Sequence, residues 1–180
     1  MIVPDIVIRA ATTGDAAAIN DIYNAYVHTS TATFDTAEAT LADRLAWLEE
    51  HGDGHPVLVV EQAGRVVAWG SLSRWANRCG WRHTVEVSTY VSADARGRGI
   101  GPRLLEALVA LGRAHGHHAL IAQIAADNEP SLKMAARAGF ERVGTLREVG
   151  RKFDAWIDLA MLELIVNPVA DDREETTDRD

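Results

Sequence analysis

The chain has 180 residues, is 47% hydrophobic and carries a net charge of −8, which supports one well-buried domain, whereas two would each have a marginal core. The acidic balance argues against nonspecific nucleic-acid binding, and no apolar run approaches the ~20 residues that span a bilayer. A single cysteine, Cys79, leaves no internal disulfide framework, and no basic stretch leads into an apolar core at the N-terminus, so a soluble cytoplasmic protein is expected.

In chain order, Ile6–Arg9 reads as a short strand. Thr13 to Ala16 opens a helix toward Ser30 that carries Ile19, Ile22, Tyr23 and Tyr26 on one stripe. Thr40 followed by Asp43 resembles a capping box. The helix behind it runs through Glu49 and is expected to turn Leu41, Leu45 and Leu48 inward. Val57–Glu61 and Arg65–Ser73 form a hairpin across Ala63 and Gly64. Val85–Val91 is the next strand, and alternation puts Glu86, Ser88 and Tyr90 on one face of it. A glycine-rich turn leads into a helix that ends at His115, with Leu104, Leu105, Leu108 and Leu111 as its apolar stripe. Ala119–Ala125 reads as a buried strand, and Pro130–Ala138 as a helix with proline in its first turn and Gly139 past its end. Strands Glu141–Val149 and Trp156–Val166 close the pattern. The expected organisation is one domain over residues 1–167 and an acidic, disordered tail over 168–180. This order is that of a mixed α/β architecture with helices packed on a sheet.

The junction between the strand at Val91 and the helix at Leu104 carries the strongest chemical signal. Gly97, Gly99 and Gly101 remove side chains where a ligand can approach backbone, and the helix start behind them presents unpaired N–H groups. Arg96, Arg98 and Arg103 add positive charge, a combination suited to a pyrophosphate. The dinucleotide pattern G-x-G-x-x-G does not fit, because Gly99 is followed by Ile100, Gly101 and Pro102. The nucleoside-triphosphate loop does not fit either, because the chain contains no Gly-Lys pair. A tight turn with solvated arginines is the structural alternative.

Arg96 to Gly101 follows Q/R-x-x-G-x-G/A, which resembles the pyrophosphate arm of the GCN5-related N-acetyltransferases (GNAT). The resemblance covers about Val7 to Val166 and is similar in particular to the phosphinothricin and methionine sulfoximine acetyltransferase branch. It rests on Ile22 to Asn24, Ala32 to Phe34, Thr84 to Glu86 with Tyr90 and Val91, Asn128 to Ser131 with Ala138 to Phe140, and Val149, Gly150, Lys152 and Trp156 to Asp158. It implies the GNAT fold: a mixed, mostly antiparallel central sheet flanked by helices, with a splayed strand pair that receives acetyl-CoA. It also implies a homodimer, an acetyl-CoA donor and a small amine or amino-acid acceptor of the phosphinothricin, methionine sulfoximine or methionine sulfone type. One position departs from the pattern: Ala135 stands where a histidine is usual.

An ammonium ion cannot attack a thioester until it loses a proton, so the reaction needs a general base. Glu86, in a strand that reads as interior, is the candidate, since burial raises a carboxylate toward working pH; a structural pairing with Arg78 or Arg82 is the alternative. Tyr90 is the candidate proton donor to the leaving thiolate, with buried packing as its alternative. The resemblance assigns the donor to Thr89, Tyr90, Val91, Arg96, Gly97, Arg98, Gly99, Ile100, Gly101 and Pro102, and to Asn128 and Ser131, which also suit a helix cap. The acceptor falls to Phe34, Trp156 and the loop containing Arg78, Trp81 and Arg82, whose arginines suit a carboxylate; Glu86 also borders it.

His115, His117 and His118 sit at a helix end and are read as dipole partners, and Cys79 has no partnered base, so neither a metal nor an acyl-cysteine is expected. The rivals are an acetyltransferase for a protein N-terminus or a polyamine, and a noncatalytic acyl-CoA sensor.

Overall fold

The computed structural model describes residues 5–168. The tail expected over 168–180 lies, apart from Pro168, outside the described residues. The strands are β1 (Ile6–Ala10), β2 (Val57–Gln62), β3 (Arg65–Arg74), β4 (Thr84–Val91), β5 (Ala119–Ala125), β6 (Glu141–Lys152) and β7 (Ala155–Ile165). The helices are α1 (Ala16–Thr29), α2 (Leu41–Glu50), α3 (Ile100–Ala114) and α4 (Glu129–Arg137).

The strands form one sheet in the order β1-β2-β3-β4-β5-β7-β6. Every pairing is antiparallel except β4 with β5. The sheet carries an apolar cluster on each side. Ile100, Leu104, Leu105 and Leu108 of α3 pack with Val85, Val87 and Leu120. Ile19 and Ile22 of α1 pack with Val57, Val59 and Trp69. The alternation of β4 follows: Val85 and Val87 serve the first cluster, and Tyr90 packs against the second.

Local chemistry explains most element ends. Ala63 and Gly64 both take positive φ, 50° and 76°, the two-residue turn that matches strand twist. The Thr40–Asp43 capping box is formed in both directions. The inward face of α2, however, differs from expectation. Leu41 is 48% exposed, and the buried residue of the helix is Arg44. Leu41 is the first helical residue, at the outer edge of the layer, while the inner side of α2 borders a cavity. The β6–β7 hairpin is also longer than expected. It closes at Phe153 and Asp154, both with positive φ and without the Asn-Gly signal that marks such turns in sequence.

Gly70 on β3 allows sheet and helix to meet closely: a Cβ there would lie 2.6 Å from the Ser88 carbonyl and 2.8 Å from Leu108 Cδ1. Gly70→Ala is therefore expected to lower stability by about 1–3 kcal/mol, measured by chemical denaturation; an unchanged midpoint would show that β3 can back away from α3.

Candidate active site

Strands β4 and β5 pair only at Thr84–Ala119, Val85–Leu120 and Glu86–Ile121. Beyond Glu86 they part, because β5 stays with β7 along its whole length while β4 stays with β3. The gap is lined by Val87 to Tyr90 on one side and Ala122 to Ala125 on the other. It shares Ser88, Tyr90 and Gln123 with a cavity on the α1–α2 side of the sheet, and Thr89, Asn128, Ser131 and Met134 with a groove between β4, α3 and α4.

The groove encloses about 640 Å³ and is lined by Thr89, Val91, Arg96, Gly97, Gly99, Ile100, Gly101, Pro102, Asn128 and Ser131. Gly99 caps α3 at φ 76°, Gly97 has φ 73°, and a Cβ at either would meet no atom within 4 Å. Open space therefore lies in front of a helix start, where N–H groups and the positive dipole end favour a phosphate. Arg96 borders it, with its guanidinium 4.7 Å from the Tyr26 ring and its Nε donating to the Val91 carbonyl at 3.3 Å. Arg98 does not line the groove. Its side chain turns toward β2, where it donates to Gln62 Oε1 at 3.5 Å. Tyr90, expected along the donor, lines the gap and the cavity rather than the groove. Asn128 does both things its residue type allows: Oδ1 accepts from the Ser131 amide at 3.3 Å as a cap, and the residue borders the groove. Lys133 and Arg137 of α4 also face it, and no motif had marked them.

The cavity encloses about 510 Å³. Its floor is three cross-strand pairs, Ser73 with Glu86, Ser71 with Ser88 and Trp69 with Tyr90. Burial raises the Glu86 carboxyl above its ordinary pKa, and the Gln123 amide, donating to Oε2 at 3.1 Å, pulls partly the other way. Burial also pushes the Tyr90 phenol well up, so it stays protonated. Tyr90 stacks on Trp69 at 4.7 Å and meets Tyr23 and Tyr26 edge-on, both at 5.2 Å. His51 holds Ser73 in place. Its Nδ1 lies 2.7 Å from the Trp47 carbonyl and must carry the proton, which leaves Nε2 to accept the Ser73 hydroxyl at 2.9 Å.

Phe34 stands in the cavity wall as expected. A Cβ on Gly150 would lie 2.5 Å from Phe34 Cε2, so glycine at 150 gives the ring its place. Four other expected residues are elsewhere. Arg78, Trp81 and Arg82 are exposed and outside the cavity lining, because the chain past Arg74 turns away in a short 3-10 turn, Cys79–Trp81. Arg82 donates to His83 Nε2 at 3.0 Å. Trp156 is likewise outside the lining and 63% exposed, on the hairpin's outer surface with the Arg151 guanidinium 6.0 Å from its ring. The cation that does reach the cavity is Arg44, which the periodicity of α2 had not marked.

Lys152 is the other residue whose role emerges only in three dimensions. It is 5% exposed, and its Nζ donates to the carbonyls of Ser30 and Thr33 at 2.8 Å and of Tyr26 at 3.4 Å. One ammonium thus neutralises the C-terminal end of α1 and anchors the segment that bears Phe34. Among the described residues no cluster suits a metal ion. His117 and His118 contact the Gly54 and Asn167 carbonyls, both at 2.7 Å. Cys79 is exposed and free.

Residues 8–161 match the model of the acetyltransferase (GNAT) domain family. The L-methionine sulfoximine/L-methionine sulfone acetyltransferase of Pseudomonas aeruginosa is 39% identical over 89% of this chain and 95% of its own. The acetyltransferase yncA of Salmonella typhimurium, solved with its cofactor acetyl-CoA, superposes with a TM-score of 0.89 at 36% identity, covering 92% of this chain and 96% of its own. A ribosomal-protein-alanine N-acetyltransferase structure from Brucella melitensis gives a TM-score of 0.86 at 41% identity, covering 88% of this chain and 99% of its own. The chain belongs to the GNAT acetyltransferase family.

Lys152→Met removes three hydrogen bonds to backbone carbonyls while keeping the apolar stem, and is expected to cost about 1–3 kcal/mol. Hydrogen exchange at Ala32, Thr33 and Phe34 should quicken; protection equal to wild type would show that the segment holds itself.

Proposed function

We propose that this protein moves an acetyl group from acetyl-CoA to the amine of a small, amino-acid-like acceptor of the methionine sulfoximine, methionine sulfone or phosphinothricin type, within a ternary complex. The observation that carries the reading is Glu86: a half-buried carboxylate of raised pKa at the last paired position before β4 and β5 part. The pyrophosphate is assigned to Gly97–Pro102 and Arg96, and the pantetheine to the edge Thr89–Val91. Asn128 and Ser131 flank the arm.

In the step itself, Glu86 takes a proton from the acceptor's ammonium group, and the freed nitrogen forms a bond to the thioester carbonyl carbon. Backbone N–H groups of the unpaired stretch of β4 hold the resulting oxyanion. The C–S bond then breaks, Tyr90 gives its proton to the departing thiolate, and the tyrosine oxygen takes up the second proton that the acetylated nitrogen gives up as it becomes an amide. Acceptor and donor meet because the gap opens to both the cavity and the groove.

A second reading, acetylation of a protein N-terminus, is favoured by the likeness to the ribosomal-protein-alanine enzyme. An acceptor panel that contains methionine sulfone, methionine sulfoximine, phosphinothricin and an alanine-led peptide separates the two readings by thiol release. Cofactor binding without release from any acceptor would favour a sensor instead.

Glu86→Gln is expected to lower kcat by about 10²–10⁴-fold. The base acts only when ionised, so in wild type kcat/KM falls as pH drops through the raised Glu86 pKa, and that acid limb disappears in the variant. A folded variant with an unchanged profile would remove Glu86 from this role.

We further read the protein as a homodimer working in the cytoplasm. No helix among the described residues is long and apolar enough to cross a membrane. Edge strand β6 and its turn expose Val143, Leu146, Val149 and Phe153, each about half accessible, an apolar row suited to a second copy. Light scattering is expected to give twice the 19.6 kDa chain mass, and Leu146→Asp with Val149→Asp to give a monomer; a monomeric wild type would overturn the assignment.

A further inference from the structure

Arg44 is 6% exposed, yet it forms no ion pair among the described residues. Its guanidinium carbon lies 4.7 Å from the Tyr23 ring centroid, 4.9 Å from that of Trp47 and 5.5 Å from that of Trp69. Three aromatic rings therefore hold its faces. Of its five N–H donors, only Nε has a partner among the described residues, the Asn20 Oδ1 at 3.5 Å. Besides Glu86, two acids line the cavity, and both are engaged elsewhere. Asp35 accepts the Tyr23 hydroxyl at 2.6 Å, and Asp43 accepts from the Thr40 amide and hydroxyl at 2.9 and 2.7 Å.

A buried guanidinium without a carboxylate is costly, and an apolar side chain of similar volume would pack three aromatic rings at no such cost. Arg44 also stands in the first turns of α2, close to the positive end of that helix. Its place relative to Glu86 is set by the sheet. Arg44 covers the Trp69–Tyr90 end of the floor, and Glu86 lies four residues back along β4, about 13 Å of strand. The charges are arranged in opposition: a base that draws the ammonium of the acceptor at one end, a guanidinium edge at the other.

We propose that Arg44 is the anion-reading residue of the acceptor cavity, pairing with an oxyanion or oxo group carried by the acceptor while Glu86 receives the amine proton. The inference rests on the cavity being the acceptor site. The recognised group has two sources in such acceptors, the α-carboxylate next to the amine and an oxidised sulfur or phosphinate on the side chain. The aromatic box orients the guanidinium and leaves its edge free to bind two oxygens at once.

The test uses the full chain as wild type, Arg44→Gln and Arg44→Lys with four acceptors: methionine sulfone, methionine sulfone amide, methionine and methioninamide. Thiol release gives kcat and KM for each acceptor and KM for acetyl-CoA, and quenching of Trp47 and Trp69 fluorescence reports acceptor binding without the donor. Arg44→Gln is expected to raise KM about 10–100-fold for acceptors carrying the recognised group and to change the others by less than about threefold. Acetyl-CoA KM should stay constant, and Arg44→Lys should fall between. Discrimination against the amides identifies the carboxylate, and discrimination against the thioethers identifies the side-chain oxygens. Equal losses for all four acceptors, or equal acceptor binding by wild type and Arg44→Gln, would overturn the proposal and leave Arg44 as a brace for the rings. If wild type binds the sulfone through Arg44 but acetylates nothing, the anion site stands and the transferase reading of the cavity fails.

Discussion

Everything at the site depends on one failure of pairing. β4 and β5 are held together over three residue pairs and then separate, so the middle of the sheet contains an opening that ordinary strand geometry forbids. Backbone N–H and C=O groups along an opening need partners, which water or an extended ligand lying beside the strand can supply. The split is stable because each strand keeps its outer neighbour: β4 is paired with β3 from Ala68 to Arg74, and β5 with β7 throughout. The glycine turn after β4 then delivers a helix start to one mouth of the opening, and the Tyr23–Trp69–Tyr90 cluster walls the other.

The same strand serves core and site by alternation. Its odd-numbered residues Val85 and Val87 are buried under α3, which fixes the height of β4, while Glu86, Ser88 and Tyr90 project into the cavity. Rigid packing on one face thus positions chemistry on the other. The wall opposite is less regular and is tied down by single contacts: Lys152 gathers three carbonyls from the end of α1 and the following segment, and Gly150 leaves the Phe34 ring its space. These contacts join residues more than a hundred positions apart in the chain.

The sequence was most informative where function and backbone conformation coincide. Gly97 and Gly99 take left-handed conformations that few other residues tolerate, so their spacing announced a tight turn ahead of α3 before any fold was known. Alternation announced the face shared by Glu86, Ser88 and Tyr90, and periodicity with caps placed every helix and strand to within a few residues. Arg98 and the Arg78–Arg82 loop show the limit. Positive charge near a turn or before a strand has no direction in sequence, and here Arg98 points back to Gln62 while the loop turns outward.

Arg44 shows the same limit from the other side. Read along α2 it is one more charged residue between leucines, and the apolar spacing favoured Leu41, Leu45 and Leu48 as the inward positions. What buries it is the meeting of Tyr23, Trp47 and Trp69, which belong to two helices and a strand. The sequence alone therefore determined the order of elements, the glycine turn that opens α3 and the alternating face of β4, because each is encoded within a few neighbouring residues. Only the tertiary structure decided which charges enter the cavity and where the strands part, because burial and strand separation depend on neighbours distant in the chain.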